Sequence, residues 1–375
     1  MQDFDEIKYR RKLIDSGVDE STAFDIARRY AEHHSQAPAQ GVIHTPAPAA
    51  PAKVDNAKKA PAQNRRSSAT KKATATSGSE KATDKPRKQP TRADIALIDA
   101  SAQIMEAPPR GNDMAFNHGI LCQVGLPRSK VEGSSFLRQS GDAWISIQAG
   151  LLDEGNGPVQ QTVPYGPLPR LALAWVSTYA VRHKTAEVPI GESAAEFLRM
   201  MGMESEGRRY STLRTQMHAL ASCHLQMGFR GRTWNAQPID HFDAWVSDKE
   251  SKQRPLWPGT LRLHDSFYNI LMERPVPLDN RALLALKGSA LALDIYCWLA
   301  HRLHRIEGRP VTLHWYSLRE QFAQEYKGKN PDKDFKDTFI PQLHKVLMVY
   351  PDAKVKQVTG GLLLMPSPPP VPYKG

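Results

Sequence analysis

The chain has 375 residues, enough for two domains of ordinary size. Lys and Arg number 50 against 39 Asp and Glu, a formal net charge of +11 that favours a polyanionic partner such as nucleic acid or an acidic membrane surface. No stretch approaches the roughly 18 apolar residues of a membrane span, the opening Met-Gln-Asp-Phe-Asp-Glu is unlike a secretion signal, and the three cysteines, Cys122, Cys223 and Cys297, are too widely spaced for a disulfide framework. A cytoplasmic protein is expected.

Residues 1–35 carry six Lys/Arg against eight Asp/Glu and two short helical patterns, which predict a small helical hairpin suited to docking a partner. Residues 36–92 shift to Ala, Pro, Lys, Ser and Thr, with twelve Lys/Arg against three Asp/Glu and hardly any large apolar side chain. Such a segment cannot offset its ordering entropy and is expected to be a disordered basic linker. It holds +9 of the charge while residues 1–35 contribute −2, so residues 93–375 retain only +4 and their bulk charge says little.

A helical segment over 93–107 is stopped by Pro108-Pro109. The apolar stretches 120–124 and 143–147 read as strands, and a Gly-rich turn follows at 153–158. The spacing then predicts a helix over 168–182, an extended piece at 187–190, a helix over 193–201, a helix over 210–226 and strands near 228–234, 241–246 and 261–263. A second series predicts a helix over 283–305, a strand at 311–314, helices over 316–326 and 334–349, and a hairpin turning at Thr359-Gly360-Gly361. Helix, strand, helix, helix and β-hairpin is the order of a winged helix, and it occurs twice. The expected fold is α+β: two tandem winged-helix domains, 93–275 and 276–366, preceded by the disordered linker and the short N-terminal helical segment. Residues 367–375 are a Pro-rich tail, read as a plain extended tail in preference to a ligand for a partner groove.

From Phe136-Leu137-Arg138 through Gly141, Ile145-Ser146-Ile147 and Gly150 to Pro164-Tyr165-Gly166-Pro167-Leu168-Pro169-Arg170-Leu171, the chain resembles the RepA family of plasmid replication initiators. Gly207-Arg208-Arg209 ahead of Leu213-Arg214-Thr215-Gln216-Met217, and the segment from Ser289 to Leu299, are similar to two further landmarks of that family. The resemblance covers nearly all of 108–366. It implies paired winged helices that bind repeated sites in double-stranded origin DNA, with the host replication initiator and replicative helicase as partners; a homodimer is left open. Two positions depart from the pattern: Arg128 follows Leu126-Pro127 where a His is expected, and Pro341 interrupts the last long helix.

The second helix of a helix-turn-helix lies in the major groove, so its outer face should be polar. After Arg209, Leu213, Met217, Leu220 and His224 fall on one side, leaving Ser211, Thr212, Thr215 and Ser222 opposite. Arg208, Arg209 and Arg214 stand near its start, suited to phosphate or guanine contacts. In the second unit Phe335, Phe339, Leu343, Val346 and Leu347 form the inner stripe. Thr338, His344 and Lys345 lie outside it, with Lys333 and Lys336 at the entrance and Lys327 and Lys329 in the preceding turn. Pro341 is expected to begin or kink this helix. Lys354 and Lys356 alternate on the hairpin and so share one face. For each of these basic residues ordinary surface solubility is the competing reading.

Cys297, His301 and His304 share a helix face at i, i+4 and i+7, but no fourth ligand has matching spacing, so no metal is expected. GxxxxGK[ST], GxSxG and HExxH are all absent, and neither cofactor nor enzymatic activity is expected. The competing functions are a winged-helix transcriptional repressor and a DNA-nicking or priming enzyme with a tyrosine nucleophile or clustered acidic residues.

Overall fold

The computed structural model describes residues 91–204, 207–241, 259–324 and 329–372, and single helical positions at 7, 10, 11, 14, 20, 24, 27 and 28. The linker expected over 36–92 therefore lies almost wholly outside the described residues. Of the N-terminal segment, Ala27 is fully buried and Ile14 packs at the edge of a hydrophobic core, while the Arg10 guanidinium lies 5.6 Å from the centre of the Phe24 ring.

Two segments share one topology. In the first, helix α3 (Pro167–His183) leads to strand β6 (Glu187–Pro189), helix α4 (Ala194–Met200) and helix α5 (Gly207–Ser222), and strands β9 (Ile239–His241) and β10 (Thr260–Leu263) follow. In the second, α8 (Ala290–Arg302) leads to β12 (Val311–His314), α9 (Trp315–Phe322), α10 (Pro331–Val349), β13 (Val355–Val358) and β14 (Gly361–Leu364). The antiparallel sheets run β6-β10-β9 and β12-β14-β13, so in each unit the first strand pairs with the last. The local causes are legible. Pro167 opens α3, where its missing N–H is an orphan anyway, and Ser193 and Ser289 cap α4 and α8 by accepting from the backbone N–H groups of Glu196 and Ala292. The hairpin turn needs Gly360 at φ 84°, and a Cβ at Gly361 would stand 1.9 Å from the Leu313 carbonyl oxygen.

The first unit carries an addition. After α5 the chain forms β7 (His224–Phe229) and β8 (Arg232–Ala236), which complete a four-stranded sheet, β2-β3-β7-β8, with β2 (Ser135–Ser140) and β3 (Ala143–Gln148). Its inner face, with Ile145, Ile147, Leu225 and Met227, joins Leu213, Met217, Phe197 and Phe267 in one core. The second core gathers around Trp298, Phe322, Phe335 and Phe339, with Trp298 edge-on to Phe322 at 5.3 Å between ring centres.

Several contacts join the units. Strand β1 (Met114–His118) pairs antiparallel with β11 (Pro275–Asp279), and the boundary expected between 275 and 276 falls inside β11. Arg170 on α3 meets Asp294 on α8 through Nε at 2.6 Å and Nη2 at 2.7 Å, both side chains buried, and donates further to the carbonyls of Pro127, Gly166 and Leu126. Helix α1 (Arg92–Glu106), read from sequence as the front of the first unit, buries Leu97, Ile98 and Ala102 in the second core. There the Ser101 hydroxyl donates to the Met348 carbonyl at 2.6 Å.

Several local expectations are corrected. Residues 120–124 are not a strand: α2 (Gly119–Gln123) forms there because His118 Nδ1 accepts from the Ile120 N–H at 3.1 Å and starts a helix. The helix expected over 283–305 is two, α7 (Asn280–Ala285) and α8, separated at the Ser289 cap and followed by a 3-10 turn at Leu303–Arg305. Strands 151–153 and 158–160 and helix α6 (Asp265–Glu273) had no counterpart in the sequence reading. Of the two expectations for Pro341, that it begins α10 is corrected: it lies inside the helix, on its exposed side. The strand expected at 241–246 lies mostly outside the described residues. The tail is also docked. Ser367 and Val371 are buried, Ser367 Oγ accepts from the Lys354 N–H at 2.9 Å, and the Tyr350 hydroxyl donates to the Pro368 carbonyl at 2.7 Å. Prolines lose little backbone freedom on ordering, so a few contacts suffice to hold this segment. Among the described residues no helix is long and apolar enough to cross a membrane.

Candidate nucleic-acid interface

Helix α10 turns Phe335, Phe339, Leu343, Val346 and Leu347 into the core, which leaves Lys333, Thr338, Pro341 and Lys345 exposed and His344 half-buried, the faces expected from its period. The Thr338 hydroxyl donates back to the Asp334 carbonyl at 3.0 Å. Lys336 turns aside: its Nζ lies 5.6 Å from the centre of the Trp315 ring, a cation–π contact with α9. Lys329 is exposed in the turn before α10, and Lys327 lies outside the described residues. On the hairpin Val355 points inward and Lys354 and Lys356 are exposed on either side of it, as alternation requires. Among the described residues no ion pair engages Lys333, Lys345, Lys354 or Lys356. Arg319 of α9, by contrast, is held by Asp332 at 2.6 Å and by Glu320 at 3.1 Å.

In the first unit Ser211, Thr212 and Thr215 are exposed on α5, and the Thr215 hydroxyl donates to the Ser211 carbonyl at 3.0 Å. Arg208 lies within the helix but its side chain is outside the described residues. Arg209 reaches Glu204 at 3.5 Å, and Arg214 Nη2 reaches Glu154 Oε2 at 3.3 Å. Two positions depart from the expected faces. His224 leaves the helix and opens β7 as an exposed residue, while Ser222, expected outside, is buried.

The cause of the second departure is a hairpin on the far side of the helix. Strands β4 (Leu151–Asp153) and β5 (Pro158–Gln160) lie against α5, and the segment carries Glu154, which also bonds His218 Nδ1 at 3.2 Å and accepts from the Gln161 amide at 2.9 Å. Burial alone would raise the Glu154 carboxyl; the hydrogen bonds from Gln161 and His218 and the charges of His218 and Arg214 outweigh it and leave it below its ordinary value. Burial lowers His218 by more than Glu154 restores, so near neutrality its bond to Glu154 is a hydrogen bond and not an ion pair. The sequence shows the Gly-rich turn at 153–158 but not the two strands beside it, nor the pairing of Glu154 with His218. The available signal was the helical spacing of His218 and Ser222 from Ser211, which puts two polar residues on an outward face that something had to cover.

The cysteines Cys122, Cys223 and Cys297 are buried and free. Cys297, His301 and His304 do not assemble a site: His301 is pushed down to about 3 by burial and by the charges of Arg305, His304 and Arg302, and His304 Nδ1 lies 2.9 Å from the Ala300 carbonyl. Among the described residues no group of three or more His, Cys, Asp and Glu is placed to hold a metal ion.

The architecture is that of a mixed helix-and-sheet protein with one topology used twice, each unit presenting an outward helix beside basic side chains. Residues 163–316 match the family of the plasmid encoded RepA protein, which bears out the RepA resemblance over those residues; the stretch from Phe136 to Gly150 lies outside the match. The chain is also similar to the crystal structure of RctB domains 2-3 (RctB-155-483), at TM-score 0.40 and 13% identity, over 65% of this chain and 94% of that one. A selenomethionine structure of domains 2 and 3 of RctB gives TM-score 0.42 and 13% identity, over 66% and 98%. No curated protein matches the chain.

Proposed function

We propose that this chain is a plasmid replication initiator whose two units are winged helices that bind repeated duplex sites in the origin. Bound there, it promotes strand opening and recruits the host initiator and helicase in the bacterial cytosol. The observation that carries this is the second unit, in a chain with a RepA-family match: Lys333 and Lys345 on α10 and Lys354 and Lys356 on the hairpin are exposed and without a carboxylate partner among the described residues. On this reading α10 and α5 enter successive major grooves. Lys333, Lys345, Lys354 and Lys356 meet phosphates, with Lys329 and Lys327 beside them. Ser211, Thr212, Thr215, Thr338 and His344 face base edges, and Arg208, Arg209 and Arg214 serve at the start of α5. Lys336, turned over Trp315, contributes field and little direct contact.

The test is gel-shift titration of the full chain against its plasmid's origin repeats and against random duplex over a salt series. Specific binding should exceed random binding by roughly 10³-fold or more, and Lys345→Ala and Lys356→Ala should each flatten the salt slope by about one. Equal affinity for both duplexes at moderate salt would refute sequence recognition, and unchanged slopes would remove these lysines from the interface.

A further inference from the structure

Ser211, Thr215, His218 and Ser222 stand at i, i+4, i+7 and i+11 and so share one face of α5. The first two are exposed, whereas His218 and Ser222 are 2% and 4% exposed. The hairpin of β4 and β5 makes this difference. Gly150 approaches so closely that a Cβ there would stand 2.0 Å from the Ser222 carbonyl oxygen, and Glu154 then reaches back to His218 and Arg214. The turn is fixed from within, since Asp153 Oδ1 accepts from the N–H groups of Gly155 at 2.8 Å and Gly157 at 3.1 Å. The hairpin thus covers the C-terminal half of the outer face, leaves the N-terminal half open, and seats a carboxylate on the arginine between them.

We infer that Glu154 is a built-in competitor for the DNA backbone at Arg214, and that it determines specificity by suppressing binding to duplex of any sequence. This rests on the reading of Arg214 as a DNA contact. A carboxylate and a phosphate present the same kind of paired oxygens to a guanidinium, so one arginine edge serves one or the other. Backbone affinity comes from phosphates neutralised, and an arginine already neutralised from inside releases no counterion. The base-facing role proposed for Ser211 and Thr212 does not run through Arg214. The competitor therefore lowers non-specific binding by a larger factor than specific binding, where base contacts can repay its displacement.

The experiment compares the full-length wild type with Glu154→Gln, Arg214→Ala and the double variant, by fluorescence anisotropy on origin-repeat and random duplexes over a salt series. Gln preserves the size of the side chain and a bond to His218 while removing the charge. Glu154→Gln should bind random duplex about 3–10-fold more tightly and origin duplex by a smaller factor, with a salt slope steeper by about one. Arg214→Ala should bind origin duplex less tightly and random duplex with little change, and Glu154→Gln should bring no gain in the Arg214→Ala background, because the competitor acts only through Arg214. A weaker or unchanged Glu154→Gln beside a weakened Arg214→Ala overturns the competitor and leaves Arg214 a contact that Glu154 merely positions. An Arg214→Ala of wild-type affinity for origin duplex overturns instead the assignment of Arg214 under the proposed function. Thermal melts check that each variant is folded. If Glu154→Gln unfolds, Glu154→Ala is measured in its place with the same expectations.

Discussion

The outward helices of the two units follow the same topology but differ in what their cations already touch. On α5, Arg209 and Arg214 are met by Glu204 and Glu154. On α10 and its hairpin, Lys333, Lys345, Lys354 and Lys356 meet no carboxylate among the described residues. Exposed like charges reach across about a Debye length, some 8 Å at physiological salt, so on the proposed reading the second unit attracts a polyanion at first encounter. On the same reading the first unit exchanges an internal carboxylate for an external phosphate, and one fold, used twice, would provide a fast contact and a discriminating one.

The strongest destabilisation is expected at the ion pair between α3 and α8. Arg170 and Asp294 are both buried, and removal of one member of such a pair leaves an uncompensated charge in the interior. Arg170→Ala should therefore cost about 3–5 kcal/mol, and urea unfolding followed by far-UV circular dichroism should show one cooperative transition at a much lower midpoint. A small loss with two separate transitions would show instead that the units are independently stable and that the pair is not what joins them.

Acid should act on both units, through different histidines. Burial pushes His118, in the first unit, down to about 4, and His301, in the second, lies at about 3. Both values are below the ordinary 6.5, so on acidification the unfolded chain takes up protons first. The stability these groups contribute is fully present above about pH 6.5 and is lost as pH falls through that value towards 4. For His118 alone the loss amounts to about 3 kcal/mol. Thermal midpoints measured from pH 7.5 to 4 should fall over this window, and His118→Asn, which keeps a capping acceptor for α2, should flatten the profile. A variant with an unaltered profile would assign the acid sensitivity to the second unit.

How far the sequence disclosed this difference depended on the range of the interactions. The second unit was nearly complete on the page, because Phe335, Phe339 and Leu343 mark α10 by period and Gly360 and Gly361 mark the turn within a few residues of the strands they join. Lys345 is exposed where the helical period puts it, and Lys354 and Lys356 where the alternation of the strand puts them. In the first unit the errors follow pairings across long separations. Residues 120–124 are apolar enough for a strand, but the strand is 114–118, whose partner lies at 275–279, and the helix is set by one imidazole at His118. Ser222 is polar and in phase with Ser211, yet Gly150 and Glu154, some sixty to seventy residues earlier, lie against that part of the face. No local pattern carries such information.

A milder loss is expected at the hairpin of the second unit. In the second unit the hairpin is tied to the tail, because Ser367 Oγ accepts from the Lys354 N–H and the Ser367 N–H donates to the Leu303 carbonyl at 3.4 Å, while Val371 is 6% exposed. Truncation after Pro366 removes one buried valine and these hydrogen bonds, together about 2 kcal/mol. Scanning calorimetry should show the loss as a lower melting temperature, with the salt slope of duplex binding unchanged because no phosphate-facing lysine is removed. A truncated chain that melts like the wild type but binds with a shallower slope would show the reverse, that the tail orders Lys354 for contact and adds nothing to the fold. In that case the readiness of the second unit for a polyanion is imposed by its last residues and is not intrinsic to α10 and the hairpin.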